Sequence, residues 1–443
     1  MSEQNNYPKG PKLPSFVQTF HWLFRVYPFL TNCAKRFSSP IGLHFFGFGK
    51  VAMFSDPQSI REIFLGDTNV LFAGEGNDLL KPFLGKNSLL ILDQERHLRE
   101  RRLLLPPFHG ERMRHYGQFM QDISEEIMNK WPIGKPFAIN DYLQEISLEV
   151  ILRVVFGIEE QQKFVTYKNT ITSLLSHIDG FGSIVLFIPL LQKDFGRFST
   201  WGRFQRDMRK FNDLIYEELQ EHSTESGEDI LSLLMNATYE DGSKMQAAEI
   251  RDQLLTALVA GHETTATALA WALYWLDKTP RVYQKLMDEL DALDEWEPKT
   301  ISRLPYLDAV CKETLRLNPI VPIVARRLQQ DYTINGYRLP KKTLVAPCIF
   351  LTHQREDLYP NPQEFRPERF IERKYTPYEF LPFGGGVRKC IGAAFATYEM
   401  KLVLATILKR FSIKIKNNKL KMKRRSVVIT PGNLKLIVNE RKV

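Results

Sequence analysis

Cysteine is scarce in this chain. Cys33, Cys311, Cys348 and Cys390 are the four present in 443 residues, too few for a disulfide-stapled secreted domain. None stands in C-x-x-C spacing with another, which argues against a Cys-rich zinc or iron–sulfur site. Clean apolar runs are missing too. The stretch FVQTFHWLFRVYPFL at 16–30 is interrupted by Gln18, His21, Arg25 and Pro28, so it falls short of the ~20 apolar residues of a membrane span and reads as a surface helix. Residues 1–15 are polar and proline-rich, unlike a secretory signal. These absences predict a soluble, cytoplasmic protein without a transmembrane segment. No strand leads into G-x-G-x-x-G and no flavin-binding unit is visible. No internal repeat and no low-complexity linker divides the chain.

What is present is apolar and basic. Hydrophobic residues make up 44% of the chain, enough for a sizeable core and too many for a disordered one. Phenylalanine reaches 30 residues, which fits a large core or the enclosure of apolar ligands. The net charge is +9, a balance that attracts anionic partners. The densest basic run, KIKNNKLKMKRR at 414–425, alternates apolar and basic residues. It reads as an amphipathic strand with a solvated face, not as a nucleic-acid arm.

Helical patterns dominate from about residue 93 to 318. LHFFGFGKVAMF at 43–54 reads as two short strands around a turn. DPQSIREIFLG at 56–66 reads as a helix with Asp56 as N-cap and Pro57 in its first position. Asn335-Gly336 within YTINGYRL is a hairpin signal. Prolines crowd 360–382 and predict coil, followed by a helix in AAFATYEMKLVLATILKRF and terminal strands. The predicted class is mainly α with small β-sheets.

One stretch is chemically unusual: LPFGGGVRKCIG at 381–392. Cys390 precedes a helical segment, where free backbone N–H groups and the helix dipole favour a thiolate. Gly384, Gly385, Gly386 and Gly392 remove side chains where something flat would approach. Arg388 supplies a cation nearby. The pattern fits a thiolate ligand to a large planar metal cofactor; a glycine-rich turn with a chance cysteine is the plainer alternative. A second oddity lies in the helix pattern at 246–277, which is apolar on most faces yet contains GHETT. Threonines there can bond back to the i−4 carbonyl and loosen the helix.

PFGGGVRKCIG resembles the haem-binding loop of the cytochrome P-450 family of haem-thiolate monooxygenases. The family pattern Phe-x-x-Gly-x-Arg-x-Cys-x-Gly is matched by Phe383, Gly386, Arg388, Cys390 and Gly392. AGHETT at 260–265, KETLR at 312–316 and FRPERF at 365–370 match further family motifs in the family's order. The resemblance implies one catalytic domain over 1–443, with no fused reductase. It implies a haem buried between a long central helix and the Cys-bearing loop. Cys390 would ligate the iron of haem b (iron protoporphyrin IX), and thiolate donation to iron favours O–O cleavage. Thr264 would hydrogen-bond the bound dioxygen and Glu263 would relay protons, with Ala260 and Gly261 leaving room beside the cofactor. His97, Arg101, Arg326 and Arg388 would meet the propionates. Glu313, Arg316 and Arg369 would form a buried structural network.

The resemblance further implies O2 and a lipophilic substrate, such as a fatty acid or terpenoid, to be hydroxylated or epoxidised. Strongly apolar segments at 77–92 and 173–196 would line its pocket, the second as a lid. Electrons would come from a separate donor, a ferredoxin with its reductase, steered by Arg99, Arg102 and Lys389. A gas sensor would have no need of the Glu263–Thr264 pair, and isomerases or peroxygenases of the family often replace it.

Overall fold

The apolar stretch after residue 14 folds as two helices. In the computed structural model, α1 (Ser15–Phe24) and α2 (Val26–Ala34) are separated at Arg25, whose φ of −144° is not helical. Pro28 explains the break. Having no N–H to give to a preceding turn, it is tolerated in the first turn of a new helix but not inside a continuous one. The structure describes residues 7–441 apart from 109–111, 159, 178–191, 195, 197–198, 223–228, 417–419 and 426–427.

The chain divides into two compact units, one of residues 1–78, 90–98 and 312–390, the other of 79–89, 99–311 and 391–443. The first unit is built on a five-stranded sheet. β1 (Ile41–Phe45) pairs antiparallel with β2 (Gly49–Phe54), and β2 runs parallel to Leu344–Pro347. Arg326–Leu328 and Leu71–Phe72 complete the sheet, both antiparallel. α3 (Pro57–Leu65) begins where the sequence placed it, with the Asp56 carboxylate accepting from Ser59 N at 2.8 Å. The Asn335-Gly336 turn adopts φ of 46° and 80°, the left-handed pair a two-residue hairpin needs. Between 360 and 382 the only helix is the single turn Arg369–Glu372.

The second unit is helical around Ala247–Lys278, 32 residues long and so about 48 Å from end to end. A capping box starts it: Gln246 and Glu249 exchange side-chain and backbone hydrogen bonds. Leu254, Leu258, Leu269, Ala272, Leu273 and Leu276 are among its fully enclosed residues. Around it pack Ile139–Phe156 and Ala393–Arg410. Trp271 Nε1 donates to the Ile429 carbonyl at 3.0 Å, fastening the helix to the hairpin Lys421–Arg425/Val428–Gly432. Among the described residues no helix is long and apolar enough to cross a membrane. The expected lid at 173–196 lies largely outside the described residues.

Candidate active site

Cys390 is exposed, whereas Cys33, Cys311 and Cys348 are buried. Its loop is closed by a hydrogen bond from Cys390 N to the Phe383 carbonyl at 2.9 Å, around a 3-10 turn at Gly386–Arg388. The glycine run has a local cause. Gly384 and Gly386 have φ of 67° and 63°, a region that favours glycine. A Cβ on Gly385 would lie 2.2 Å from the Phe64 ring, and one on Gly386 would lie 2.2 Å from the Phe64 carbonyl. Close packing on α3 therefore accounts for these two glycines. Gly392 differs: a Cβ there would meet nothing within 4 Å. The helix Ala393–Arg410 starts just after it, with Gly392 as N-cap.

The structure gathers three of the four predicted cations in the first unit. His97, Arg326 and Arg388 line one pocket together with Asp93, Phe64 and Val387. Arg388 donates to the Leu92 carbonyl and to Asp93 Oδ1 at 2.5 Å. Arg326 is buried and donates to the Ala325 carbonyl. Burial and then the Arg388 charge lower its pKa to about 10, with Asp93 acting in the opposite direction, so it stays cationic at neutral pH. Two guanidiniums and an imidazole gather around one carboxylate, and that donor set fits the carboxylates of a porphyrin. Arg101 follows His97 on the helix Gln94–Leu104, is partly exposed and does not line this pocket.

Asp93 was missed by sequence reasoning. Besides Arg388 it accepts from Gly74 N and Glu75 N at 2.8 and 3.1 Å, so one carboxylate fixes a turn and a cation together. Its place directly before the helix, in the manner of an N-cap, was the available signal.

Glu313, Arg316 and Arg369 form the buried network expected of them, at 0, 0 and 2% exposure. Arg316 donates Nε and Nη2 to the two Glu313 oxygens at 2.7 and 2.8 Å. Its other donors reach the carbonyls of His353, Pro362 and Glu364. Arg369 Nε reaches Glu313 Oε1 at 3.0 Å, and Arg366 N donates to the same oxygen. All five Arg316 N–H groups are used, and two of the carbonyls they hold, those of Pro362 and Glu364, belong to the proline-rich segment. In the same unit, burial and then the Arg316 charge lower the His353 pKa to about 3, leaving the ring neutral so that its Nε2 can accept from Leu381 N at 3.0 Å.

In the second unit the central helix has one open facet. Ala257, Ala260, Gly261 and Thr264 are partly or fully exposed in a stretch that is otherwise largely buried. Their spacing puts them on one side of the helix. Small side chains in an open stripe leave room for a flat group. Thr264 Oγ1 bonds back to the Ala260 carbonyl at 2.6 Å, as the sequence predicted, and the segment stays α-helical throughout. Gly261 also packs tightly, since a Cβ there would come within 2.9 Å of Ile151. Glu263 is mostly buried, with Oε1 3.7 Å from Arg425 Nη1. The adjacent His262 is buried; burial lowers its pKa to about 4, against a hydrogen bond with the Gln144 backbone.

Polar residues on the same helix hold the apolar segment that precedes residue 90. Asp252 Oδ2 accepts from Asn87 N and Nδ2 at 2.9 and 3.0 Å, and Gln253 Oε1 accepts from Leu89 N at 3.0 Å. Thr256 Oγ1 donates to Ser88 Oγ at 2.7 Å. An apolar reading of 77–92 could not see this latch, because its partners lie more than 150 residues away in sequence. Arg99 and Arg102, expected to steer a redox partner, already have neighbours. Arg99 lies 3.8 Å from the Tyr239 ring centroid and 4.0 Å from Asp241, and Arg102 pairs with Glu240. Local acids thus offset part of the charge predicted to face outward.

A family model described as cytochrome P-450 matches residues 8–438. A Mycobacterium tuberculosis protein named "Putative cytochrome P-450 135B1" is 38% identical over 410 residues, covering 92% of this chain and 85% of its own length. Another from the same organism, "Putative cytochrome P-450 135A1", is 33% identical over 415 residues, with coverages of 92% and 88%. Among solved structures, a retinoic acid-bound cyanobacterial protein superposes with a TM-score of 0.84 at 27% identity, over 98% of this chain and 99% of its own. The haem domain of cytochrome P450DA gives a TM-score of 0.86 at 26% identity, over 98% of both chains.

The chain therefore belongs to the cytochrome P-450 family. It is a haem-thiolate monooxygenase, an oxidoreductase whose cofactor is haem b (iron protoporphyrin IX) held through a cysteine thiolate.

Proposed function

We propose that this monooxygenase hydroxylates or epoxidises a lipophilic substrate in the cytoplasm, as a single catalytic domain, with electrons from a ferredoxin and its reductase. Cys390 is the thiolate that holds the haem. When bound, the haem supplies activation of O2, placing one oxygen atom in the substrate and releasing the other as water. His97, Arg101, Arg326 and Arg388 bind its propionates. Arg388 would then share its guanidinium between Asp93 and a propionate. Ala260, Gly261, Phe383 and Gly392 contribute small or flat surface to the cofactor's surroundings. Thr264 holds a proton at Oγ1, and Glu263 passes protons to that position while Arg425 keeps its carboxylate oriented.

The observation that carries this reading is the exposed thiol of Cys390 on a family-type loop, in a chain whose other three cysteines are buried. The lipophilic substrate is supported by the apolar segment at 77–92 and by the neighbour with retinoic acid bound. The basic net charge of +9 suits an acidic electron donor.

Two measurements test it. Cys390→Ala should lose the thiolate-type Soret band of the reduced carbon monoxide complex; a variant that keeps this band would remove Cys390 as the ligand. Titration of the parent with retinoic acid and a long-chain fatty acid should shift its spin state. No response to any lipophilic ligand would sink the substrate class while leaving the haem assignment standing.

A further inference from the structure

We propose that the N-terminal helix and the β1–β2 turn form a docking surface for an anionic phospholipid bilayer, holding the protein on a membrane face without crossing it. The surface begins with α1. Phe16, Phe20 and Phe24 recur every fourth residue, so they share one helix face, and they are 65, 55 and 60% exposed. The Phe20 and Phe24 rings lie 4.9 Å apart and form one continuous apolar ridge.

The other side of α1 is fastened to the fold. Gln18 is buried, its Oε1 accepting from His44 N at 3.0 Å and its Nε2 donating to the Leu13 carbonyl at 2.8 Å. Trp22 packs on Phe45 with ring centroids 5.3 Å apart. Thr19 Oγ1 accepts from Phe46 N at 2.8 Å, which brings the β1–β2 turn alongside the helix. Phe46 is itself 69% exposed. Four phenylalanines are thus presented to solvent by a helix and a turn that are locked to each other.

Charge selects the occupant. Between Tyr7 and Ser55 the chain has Lys9, Lys12, Arg25, Lys35, Arg36 and Lys50 and no aspartate or glutamate. All six cations are exposed, and among the described residues none forms an ion pair with an acid. A self-associating pair of such faces would bring together two copies of the same basic, acid-free stretch, which opposes a dimer through this surface. Aromatic rings projecting from a helix, in a stretch of chain that carries exposed cations and no acid, match an interface of anionic headgroups over acyl chains. Such a helix lies in the plane of the interface.

The test uses the haem-loaded full chain and sedimentation with vesicles of phosphatidylcholine alone or mixed with phosphatidylglycerol. The parent should partition on the order of tenfold better into the anionic vesicles, with the advantage shrinking as salt rises. The triple variant Phe16→Ser, Phe20→Ser, Phe24→Ser should lose on the order of tenfold or more of that binding. Lys9→Glu with Lys12→Glu and Arg25→Glu should remove the salt dependence. Phe20→Asp alone serves if the triple variant does not fold, and it should show a smaller loss in the same direction. Equal partition into neutral and anionic vesicles, or undiminished binding by the phenylalanine variants, overturns the proposal. So does a parent that fails to bind vesicles but sediments as a dimer which the Phe20→Asp substitution dissociates, because the face would then belong to a second copy.

Discussion

Around Glu313 a buried carboxylate meets two guanidiniums and a backbone N–H; around Glu399 a buried carboxyl meets two hydroxyls. Both side chains are 0 to 1% exposed. Glu313 has ion-pair partners in Arg316 and Arg369. Glu399, on the helix Ala393–Arg410, hydrogen-bonds to Ser147 and Thr265, whose hydroxyls also approach the Gly261 carbonyl at 3.4 and 3.3 Å. Its Oε1 is buried without a hydrogen-bond partner among the described residues. Burial raises its pKa to about 8 against the pull of the two hydroxyls, so it carries a proton at neutral pH. Burial alone thus does not set the state of a carboxyl. A matched pair of cations stabilises the charge in one region, and their absence makes protonation the cheaper solution in the other.

The largest way to break this comparison is at Glu313. Glu313→Gln leaves two buried guanidiniums facing a neutral amide, and removal of one partner from a buried pair costs about 3–5 kcal/mol. Urea denaturation should show a loss of that order. A loss below about 1 kcal/mol would mean that the carbonyls around Arg316 suffice without the carboxylate.

The second prediction is a pH dependence. With a folded pKa near 8 and an unfolded value of about 4.3, the folded state holds a proton that the unfolded state has released. Glu399 therefore stabilises the fold fully at low pH, and this contribution falls as pH rises from about 4.3 towards 8. Glu399→Gln, which mimics the neutral acid, should lose this decline, and Tm between pH 5 and pH 8 (roughly that window) should become flatter than in the parent. His262 works in the opposite sense. Its folded pKa of about 4 lies below an unfolded value of about 6.5. Its contribution is present above the latter and lost as pH falls towards the former, so an acid-side loss should survive in Glu399→Gln. A parent and variant with parallel Tm profiles would show that Glu399 is already ionised in the fold.

Thr264→Ala tests the hydroxyl one residue before this cluster. It should leave thermal stability nearly unchanged, because the Ala260 carbonyl that its hydroxyl reaches is in a continuous helix. The change should appear in turnover: less product per electron consumed and more hydrogen peroxide, since general acid–base assistance is worth about 10²–10⁴-fold. Unchanged coupling would take Thr264 out of the proton route. The smallest effect is expected from Ser147→Ala, which removes one of two hydroxyls from Glu399. A loss near 1 kcal/mol is typical of one hydrogen bond, with the Glu399 pKa moving further up. No change in the pH profile would place the hydroxyl's main bond at the Gly261 carbonyl instead.

Much of this molecule was legible in its sequence, because the informative signals were local. The Asp56 cap, the Asn335-Gly336 turn, the 32-residue central helix and the Thr264 back-bond each depend on residues within a few positions of one another. The cysteine loop was legible for the same reason. The causes of its glycines were not. Gly385 and Gly386 answer to Phe64, more than 300 residues earlier, and no local pattern reveals a backbone that must pass under a distant ring. The single helix expected across 16–30 failed where Pro28 required a new first turn.

The sequence by itself determined the kind of chemistry: one cysteine in a glycine-rich loop, an acid–alcohol pair inside an apolar helix, and a basic stretch over 7–55 without an acid. Only the tertiary structure decided which charges are matched. It set Asp93 against Arg388, Glu240 and Asp241 against the cations at 99 and 102, and left Glu399 among hydroxyls. Charge is written residue by residue, but solvation and partnership depend on what the folded chain brings within a few ångströms, and that is a property of the packed whole.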